Sequence, residues 1–559
     1  MKKSNIVDFI ITQINKSINH TIDILNENNI NRGEIKVNVE QNNNIDFGDF
    51  STNFVLSLNL PRSKCMEYAN DLASTFINKK YFKEVTVANP GFINFKLSDY
   101  LLQSVLFDII KKCKKFGIAK KTKLNYNIEF VSANPTGLLH IGHARNAAIG
   151  DTLARIWEAN GIKVDREYYI NNAGNQMELL GLSVLIRYKQ LFNEKVELPK
   201  DSYHGEEIIT VAKKIKEEYG DQLLHVEFND NCILPEFSKE KNLIKLFAEN
   251  FLLSIIKKTL ENFGVHFNIW FPEIELYKNN MIKIVLQLLK DHIYSKEGAT
   301  WLKTTECGDD KDRVLIKSDG NNTYFMPDIA YHNIKLSRGY DKIFNIWGAD
   351  HTSYADRMSI AMRLLGYDKN KLKILIMQMV RLTKDGKEFK MSKRTGNSLT
   401  LEDLINAIGK EPARWYLVSK PMTSHLEIDV DKASKKDRNN PLYYVQYAHA
   451  RIQHILCKTM FKLPKNFNLL NLKIERQIII ALHSYVTTLR KIAKSYEVNI
   501  LTIYLYNLAK LFHSYYASNK IIDDANQELS MQRYWLVYCV KVVLANGLSL
   551  LDIKPADEM

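Results

Sequence analysis

The 559-residue chain is too long for one hydrophobic core, so we expect roughly three to five domains. Hydrophobic residues make up 45% and charged residues 25%, as in soluble globular proteins, and no run of about 18 apolar residues predicts a membrane span. The formal net charge of +14 favours a polyanionic partner, although free use of Lys, Asn and Ile would also follow from an AT-rich coding bias. Charge alone therefore does not decide the function.

The six cysteines are scattered and form no CxxC pair, which argues against a disulfide framework and against a structural zinc site. A reducing compartment fits this pattern, and we predict a cytoplasmic protein. Polar residues interrupt the apolar stretch near the N-terminus at helical spacing. This stretch predicts an amphipathic helix rather than a signal peptide.

Residues 1–118 predict a small α/β domain. Helical patterns cover residues 6–26 and 64–77, and a strand pattern covers residues 85–97 with a turn at Pro90-Gly91. A basic run at residues 111–115 ends this part.

Residues 119–400 alternate between strand and helix patterns. A strand ending at Ser132, a loop, a helix over 139–159 and another strand form a βαβ unit, which implies a parallel sheet with ligands at the strand C-termini. A second α/β half follows a charged helical insertion at about 178–300, and residues 401–559 predict helices throughout. The predicted fold is multidomain α/β plus all-α: a small N-terminal α/β domain, a split Rossmann-type catalytic domain with a parallel sheet, and a C-terminal helical domain.

The sequence ANPTGLLHIGH at 133–143 places His140 and His143 three residues apart at the predicted start of a helix. A helix N-terminus attracts phosphate, and two imidazoles there would stabilise charge on a triphosphate. Gly142 leaves room for a flat ring against the backbone. A P-loop is excluded, because His143 and Ala144 stand where Lys and Ser or Thr are required.

The sequence KMSKR at 390–394 lies between Gly386 and Gly396. Lys390 and Lys393 in such a loop would neutralise departing pyrophosphate, although a charged loop is more often only solvated. The two motifs resemble the HIGH and KMSKS motifs of class I aminoacyl-tRNA synthetases, in the required order, with Arg394 replacing the final serine.

Longer segments resemble the arginyl-tRNA synthetase family across essentially the whole chain, among them DFGDFSTN, EFVSANPTGLLHIGHARNAAIGD, REYYINNAGNQ, WGADH and NPLYYVQYAHAR. The resemblance implies activation of arginine by ATP, through an arginyl-adenylate, and transfer to the 3′-terminal adenosine of arginine tRNA. It also implies Mg²⁺ bridging the phosphates with no dedicated protein metal site, a tRNA requirement for activation, and a monomer.

The resemblance implies that carboxylates hold the guanidinium, which suits its planar fork of donors. The matching arginine-binding residues are Glu129, Asn134, Tyr324 and Asp328. Two alternatives remain open: Glu129 would instead pair with a lysine, and Asp328 would only cap a helix. Some relatives use a glutamine where Tyr354 stands, so that contact is not transferred. Catalysis is assigned to His140, His143, Lys390 and Lys393, and ATP binding to Pro135, Thr136, Gly137, Gly142, Gly348, Asp350, His351, Met391 and Ser392.

The two ends of the chain resemble the family's tRNA-contacting domains. The candidate tRNA-binding residues are Phe47, Asp49 and Asn53 near the N-terminus and Tyr444, Gln446 and Arg451 near the C-terminus. Aromatic side chains would stack on unpaired bases, and arginine would meet phosphate. Packing of these residues in a core is the alternative.

Three other functions share part of this pattern. A cysteinyl-tRNA synthetase would need a zinc cluster that the scattered cysteines do not supply. A small-molecule adenylate-forming ligase would have no reason for two RNA-binding ends. A tRNA-binding paralogue without activity would not need intact His140, His143, Lys390 and Lys393.

Overall fold

The computed structural model describes residues 6–20, 25, 30, 35–42, 44–58, 60–76, 80–229, 231–389 and 399–559. The chain forms two compact units. The first comprises residues 1–118, 437–495 and 500–559, and the second comprises 119–436 and 496–499. The unit boundary after Ile118 coincides with a predicted domain boundary, whereas the second unit continues past residue 400 to Lys436.

The N-terminal part of the first unit contains a four-stranded antiparallel sheet in the order β1-β2-β4-β3. Its elements are α1 (Ile6–His20), β1 (Glu40–Gln41), β2 (Phe50–Thr52), α2 (Arg62–Ser74), β3 (Phe82–Ala88), β4 (Phe92–Leu97) and α3 (Asp99–Lys112). Ile93, Phe95 and Leu97 are fully buried at a spacing of two, which places them on the core face of the strand. The hairpin with its turn at Pro90-Gly91 is as the sequence predicted.

The second unit contains a five-stranded parallel sheet in the order β12-β11-β5-β6-β7. The strands of this unit are β5 (Asn125–Glu129), β6 (Lys163–Ile170), β7 (Ile269–Pro272), β8 (Ile293–Lys296), β9 (Ala299–Leu302), β10 (Arg313–Ile316), β11 (Lys342–Gly348), β12 (Leu372–Met377), β13 (Val380–Lys384), β14 (Lys387–Glu388) and β15 (Leu426–Asp429). Both halves of the split domain supply strands, so the predicted parallel sheet is confirmed.

The helices of the second unit flank this sheet or extend from it. They are α4 (Ile141–Ala159), α5 (Asn175–Gln190), α6 (Glu206–Tyr219), α7 (Ser238–Asn262), α8 (Ile274–Lys278), α9 (Met281–Leu288), α10 (Phe325–Ser337), α11 (Thr352–Leu364), α12 (Leu401–Ile408), α13 (Lys410–Leu417) and α14 (Val430–Ser434). Helices α5, α6 and α7 bury a core of their own, which includes Leu180, Val211 and Leu252.

The insertion predicted at about 178–300 also contains β7, which pairs with β6 at the edge of the parallel sheet. The chain is helical in this insertion up to Asn262, and beyond it the chain enters the edge strand of the parallel sheet. The four-residue strand IWFP is too short for its periodicity to distinguish it from a helix segment.

Helix α4 packs closely on the end of β5. A β-carbon at Gly150 would lie 2.3 Å from Cγ of Phe130, which is less than any real contact allows. Phe130 is buried directly after the last residue of β5. The missing side chain at position 150 therefore sets how closely the helix approaches the strand.

The C-terminal part of the chain is helical, as predicted. It contains α15 (Pro441–Cys457), α16 (Lys473–Ser495), α17 (Asn499–Ser518) and α18 (Gln527–Leu550). Within the first unit, α3 packs against α16 and α18. Among the described residues, none of the helices combines the length and apolar character that a bilayer crossing requires.

Candidate active site

The parallel sheet changes direction of winding between β5 and β11. The chain leaves β5 through α4 and returns in β6 on one side, while β11 lies on the other side of β5. Ligands bind in open α/β sheets at such a point, beyond the carboxyl ends of the strands. The loop at 130–140 and the turn at 348–351 follow these two strand ends.

His140 and His143 lie together at the N-terminus of α4. His140 is the residue that caps the helix, and its Nδ1 accepts a hydrogen bond from the N–H of Gly142 at 3.0 Å. Nδ1 of His143 accepts one from the N–H of His140 at 3.3 Å. The two rings stack with their centroids 3.7 Å apart.

These hydrogen bonds fix the tautomers of both imidazoles. Since each Nδ1 accepts a hydrogen bond, the proton of a neutral ring must lie on Nε2. Burial, with a smaller contribution from His140, lowers the pKa of His143 to about 3, so this ring is neutral at physiological pH. The helix start therefore presents Nε2–H donors, which are suited to phosphate oxygens. A β-carbon at Gly142 would lie 2.8 Å from Cε1 of His140, so glycine leaves room for this ring as well.

The start of α4 is also joined to the chain that follows residues 390–398. The N–H of Ile141 donates to the carbonyl of Leu399 at 3.0 Å, and the N–H of Leu401 donates to the carbonyl of Leu139 at 2.7 Å. Lys390, Met391, Ser392 and Lys393 lie outside the described residues.

A cluster of acidic and phenolic groups lies beside the same sheet edge. Tyr354 donates a hydrogen bond to Oδ2 of Asp328, and Tyr277 donates one to Oε1 of Glu273 at 3.4 Å. Desolvation, together with the charges of Glu273 and Glu129, raises the pKa of Asp328 to about 7. Burial likewise raises the pKa of Glu273. Among the described residues, no Lys or Arg forms an ion pair with Asp328 or Glu273.

Glu129 differs from these two acids because it already has a cationic partner. Its Oε2 lies 2.7 Å from Nζ of Lys335, which is completely buried, and its Oε1 accepts from Ser132 at 3.1 Å. Nζ of Lys335 also donates to Oδ1 of Asn345 at 2.8 Å. The alternative that the sequence left open, a strand-end acid paired with a lysine, is the arrangement observed.

The remaining predicted substrate residues lie around the same edge. Asn134 donates to Oε1 of Gln176 at 2.6 Å, and Tyr324 is 80% exposed just before α10. Asp350 and His351, both exposed, lie 3.3 Å apart in the turn after β11. Pro135, Thr136, Gly137 and Gly348 lie in the loop after β5 and at the end of β11.

Comparison with known proteins agrees with this geometry. Residues 104–434 match the family described as tRNA synthetases class I (R), catalytic domain. Residues 9–97 match the arginyl tRNA synthetase N terminal domain, and residues 445–559 match the DALR anticodon binding domain. The chain is 48% identical to arginine–tRNA ligase of Malacoplasma penetrans over 530 residues, which is 92% of this chain and 93% of that protein.

This chain belongs to the arginyl-tRNA synthetase family. Arginine–tRNA ligase of Ureaplasma parvum is 45% identical and covers 94% of this chain, with 96% of its own length matched. Arginyl-tRNA synthetase of Thermus thermophilus superposes with a TM-score of 0.76 over 99% of this chain and 100% of its own. At 18% identity, that likeness supports the fold alone.

In this synthetase the residues predicted to meet tRNA near the C-terminus form two groups. Arg451 lies 4.4 Å from the ring centroid of Tyr447 and 4.7 Å from that of Tyr516, and Tyr444 packs on His513 at 4.5 Å. Gln446 is buried instead, and its amide donates to the carbonyl of Lys554 at 3.2 Å. Gln446 therefore holds the C-terminal segment on α15.

The residues predicted to contact tRNA near the N-terminus also differ in their exposure. Phe47 is 61% exposed and Asn53 is exposed, whereas Asp49 is 2% exposed. Asp49 forms an ion pair with Arg476 of α16, and its Oδ2 accepts from the N–H of Leu97 at 2.6 Å. Because Arg476 and the N–H of Leu97 already bind its carboxylate, we do not include Asp49 among the residues proposed to contact tRNA.

Several residues of the site were not found from the sequence. Glu273 and Tyr169 complete the acidic cluster. Tyr354, to which no role was assigned from the sequence, donates a hydrogen bond to Asp328. Asn146 accepts from the N–H of Val131 at 3.0 Å and donates to the carbonyl of Ile346 at 3.0 Å, which joins β5 to β11. Glu273 had one available signal: an acid directly follows the strand-like IWFP.

Proposed function

We propose that this synthetase activates L-arginine with ATP and transfers it to the 3′-terminal adenosine of arginine tRNA. One observation carries the proposal: two Nε2–H donors at a helix start lie at the same sheet edge as Asp328 and Glu273, which pair with no Lys or Arg among the described residues. The first group suits a triphosphate and the second suits a guanidinium.

In the proposed activation step, the arginine carboxylate attacks the α-phosphorus of ATP, a P–O bond forms, and the bond to pyrophosphate breaks. His140 and His143 donate to phosphate oxygens and stabilise the charge that develops there. Lys390 and Lys393 are proposed, from the sequence alone, to neutralise the pyrophosphate. The protein supplies position and charge complementarity, and no protein nucleophile takes part.

The nucleotide is proposed to lie along the loop after β5 and the turn after β11, where Gly348, Asp350 and His351 face its ribose and base. Imidazole and backbone N–H donors at the start of α4 fit phosphate oxygens rather than a metal ion. When Mg²⁺ is bound, it neutralises phosphate charge, and we propose that it does so on the phosphates themselves.

For arginine, the arrangement favours Asp328 and Glu273 as the acids that receive the guanidinium. Both lack a cation among the described residues, and a buried carboxylate without one gains most from a bidentate guanidinium. Glu129 is proposed to act through Lys335, whose cation fixes its carboxylate. Tyr324 and Asn134 are proposed to lie near the rest of the amino acid.

For tRNA, we propose that the cluster of Tyr444, Tyr447 and Arg451 stacks on unpaired anticodon bases, since its rings and guanidinium are already layered. Exposed Phe47 and Asn53 are proposed to meet the outer corner of the tRNA. A cytoplasmic monomer is the proposed state of the enzyme.

The proposal is tested by pyrophosphate exchange into ATP with each amino acid in turn, with and without arginine tRNA. Exchange that requires both arginine and its tRNA is expected. Comparable exchange with lysine, or none with arginine under any condition, contradicts the proposal. Transfer of labelled arginine to tRNA measures the second step separately.

A further inference from the structure

A buried arginine in the helix that carries the two histidines has no assigned role. Arg145 follows His143 by two residues, and its side chain is fully buried. Among the described residues, none of the carboxylates lies within ion-pair distance of it. A buried cation without a counter-ion costs several kcal/mol, so an apolar side chain would pack here at lower cost.

Backbone carbonyls bind both terminal nitrogens of the Arg145 guanidinium instead, and its Nε has no hydrogen-bond partner among the described residues. Nη1 donates to the carbonyls of Gln378 at 2.6 Å and Ser424 at 2.9 Å. Nη2 donates to the carbonyl of Pro421 at 3.0 Å. The guanidinium fork thereby bonds to carbonyls of two chain segments at once.

These carbonyls belong to the chain just before two paired strands. Residues 378–379 lead into β13 and residues 421–424 lead into β15, and the two strands run parallel from Val380 and Leu426. Strand β13 continues through β14 to Phe389, the last described residue before position 390. On the other side, Leu399 and Leu401 bond to residues 139–141.

We propose that Arg145 is a positioning residue for arginine activation, which holds the segment leading to residues 390–398 against the helix that carries His140 and His143. One strand of that segment is fixed by the guanidinium, and the return segment is fixed by backbone hydrogen bonds to the helix start. The histidine-bearing helix is therefore hydrogen-bonded to the described chain on both sides of residues 390–398. This inference rests on the proposed roles of His143 and of Lys390 and Lys393.

The position of Arg145 predicts a selective effect. Contacts to ATP and pyrophosphate involve both the helix start and the lysine-bearing stretch, whereas the acidic cluster around Asp328 has no hydrogen bond to Arg145 or to its carbonyl partners. Loss of the guanidinium should alter the kinetics of ATP far more than those of arginine.

The test uses the full chain with R145M, R145K and the control R414M in pyrophosphate exchange with arginine and its tRNA. Arg414 is also a buried arginine bound to α4, but its partner there is the carboxylate of Asp151, at 2.7 Å. We expect R145M to lower kcat/KM for ATP about 30-fold or more, with KM for arginine changed less than about threefold. R145K should recover part of the loss, and R414M should lower Tm with little change in either KM.

Equal changes for ATP and arginine in R145M, or unchanged kinetics with only a lower Tm, overturn the inference. If R145M does not fold, R145K tests the inference, because lysine keeps the positive charge but lacks the planar fork of donors. ATP kinetics of R145K that equal those of the parent overturn the inference. H143A is measured in parallel. If H143A retains the parent rate, the proposed function of the histidines fails, and that result is distinct from any outcome at position 145.

Discussion

Nζ of Lys335 lies 2.7 Å from Oε2 of Glu129, in a pair whose lysine is completely buried. The lysine also holds Asn345 on β11, whose Nδ2 lies 2.8 Å from Nε2 of His332. Burial lowers the pKa of His332 to about 3, so this ring is neutral and can accept from Asn345. The protein thus neutralises one acid at the strand ends. Asp328 and Glu273, which pair with no Lys or Arg among the described residues, are the acids proposed to receive the guanidinium.

Removing one member of this pair should cost more than removing both charges. K335M leaves the buried carboxylate of Glu129 without a cationic partner, which destabilises a protein by about 3–5 kcal/mol. The double variant E129Q/K335M should have a Tm between those of K335M and the parent. Calorimetry of the parent, both single variants and the double variant measures the coupling. Additive changes in Tm would contradict a coupled pair.

D328N should weaken arginine binding severely without abolishing it, and yet raise Tm. The folded-state pKa of Asp328 is raised to about 7 from 3.8, so the folded protein binds this proton more tightly than the unfolded chain does. Stability therefore falls as pH rises between these two values, and asparagine avoids that loss. At pH 8 we expect a Tm higher by about 2–4 °C for each kcal/mol recovered.

The same carboxylate predicts a pH dependence for the parent enzyme. On the proposed role of Asp328, arginine binds to its ionised form, so KM for arginine should rise about tenfold per pH unit below about 7. In D328N this dependence should disappear. E275Q, which changes a partly exposed acid paired with Lys278, is the control and should keep the parent profile. A KM for arginine that is constant between pH 5.5 and 8 in the parent would exclude this role for Asp328.

H143A should reduce pyrophosphate exchange about 100-fold or more, because it removes a donor to the developing phosphate charge. H204A, which changes an exposed histidine of the insertion, is the control and should keep the parent rate. Since the pKa of His143 is about 3, kcat should show no step from this group between pH 6 and 8. A rate for H143A within about threefold of the parent would rule out the proposed donor.

Phe47 and Asp49 should respond differently to substitution although they belong to one short motif. F47A removes an exposed ring, so KM for tRNA should rise several-fold with Tm unchanged. D49N breaks the ion pair with Arg476 and should lower Tm by several degrees. Aminoacylation kinetics and calorimetry on both variants distinguish them. A loss of stability in F47A would assign that ring to the core.

The sequence predicted the parts of the site that are local along the chain. The histidine pair, its helix and the strand before it follow from residues within one stretch, and the structure has them in that arrangement. Glu273 was not predicted, because it joins Tyr169 and Asp328 only through the pairing of β7 with β6. Asp49 was predicted as a tRNA-binding residue with core packing as the alternative, and sequence alone does not show that Arg476 lies beside it.

The close packing of Gly150 on Phe130 has a consequence for how specificity can change in this fold. Only the ring of Phe130 and the backbone of Gly150 lie between the helix that carries His143 and the strand that ends at Glu129. Even one methyl group added at position 150 would force the helix and the strand apart. A change of amino-acid specificity in this fold is therefore expected from exchanged acids and phenols around Asp328 rather than from a shift of this helix. The distance between this helix and this strand is then the dimension of the site that tolerates the least change.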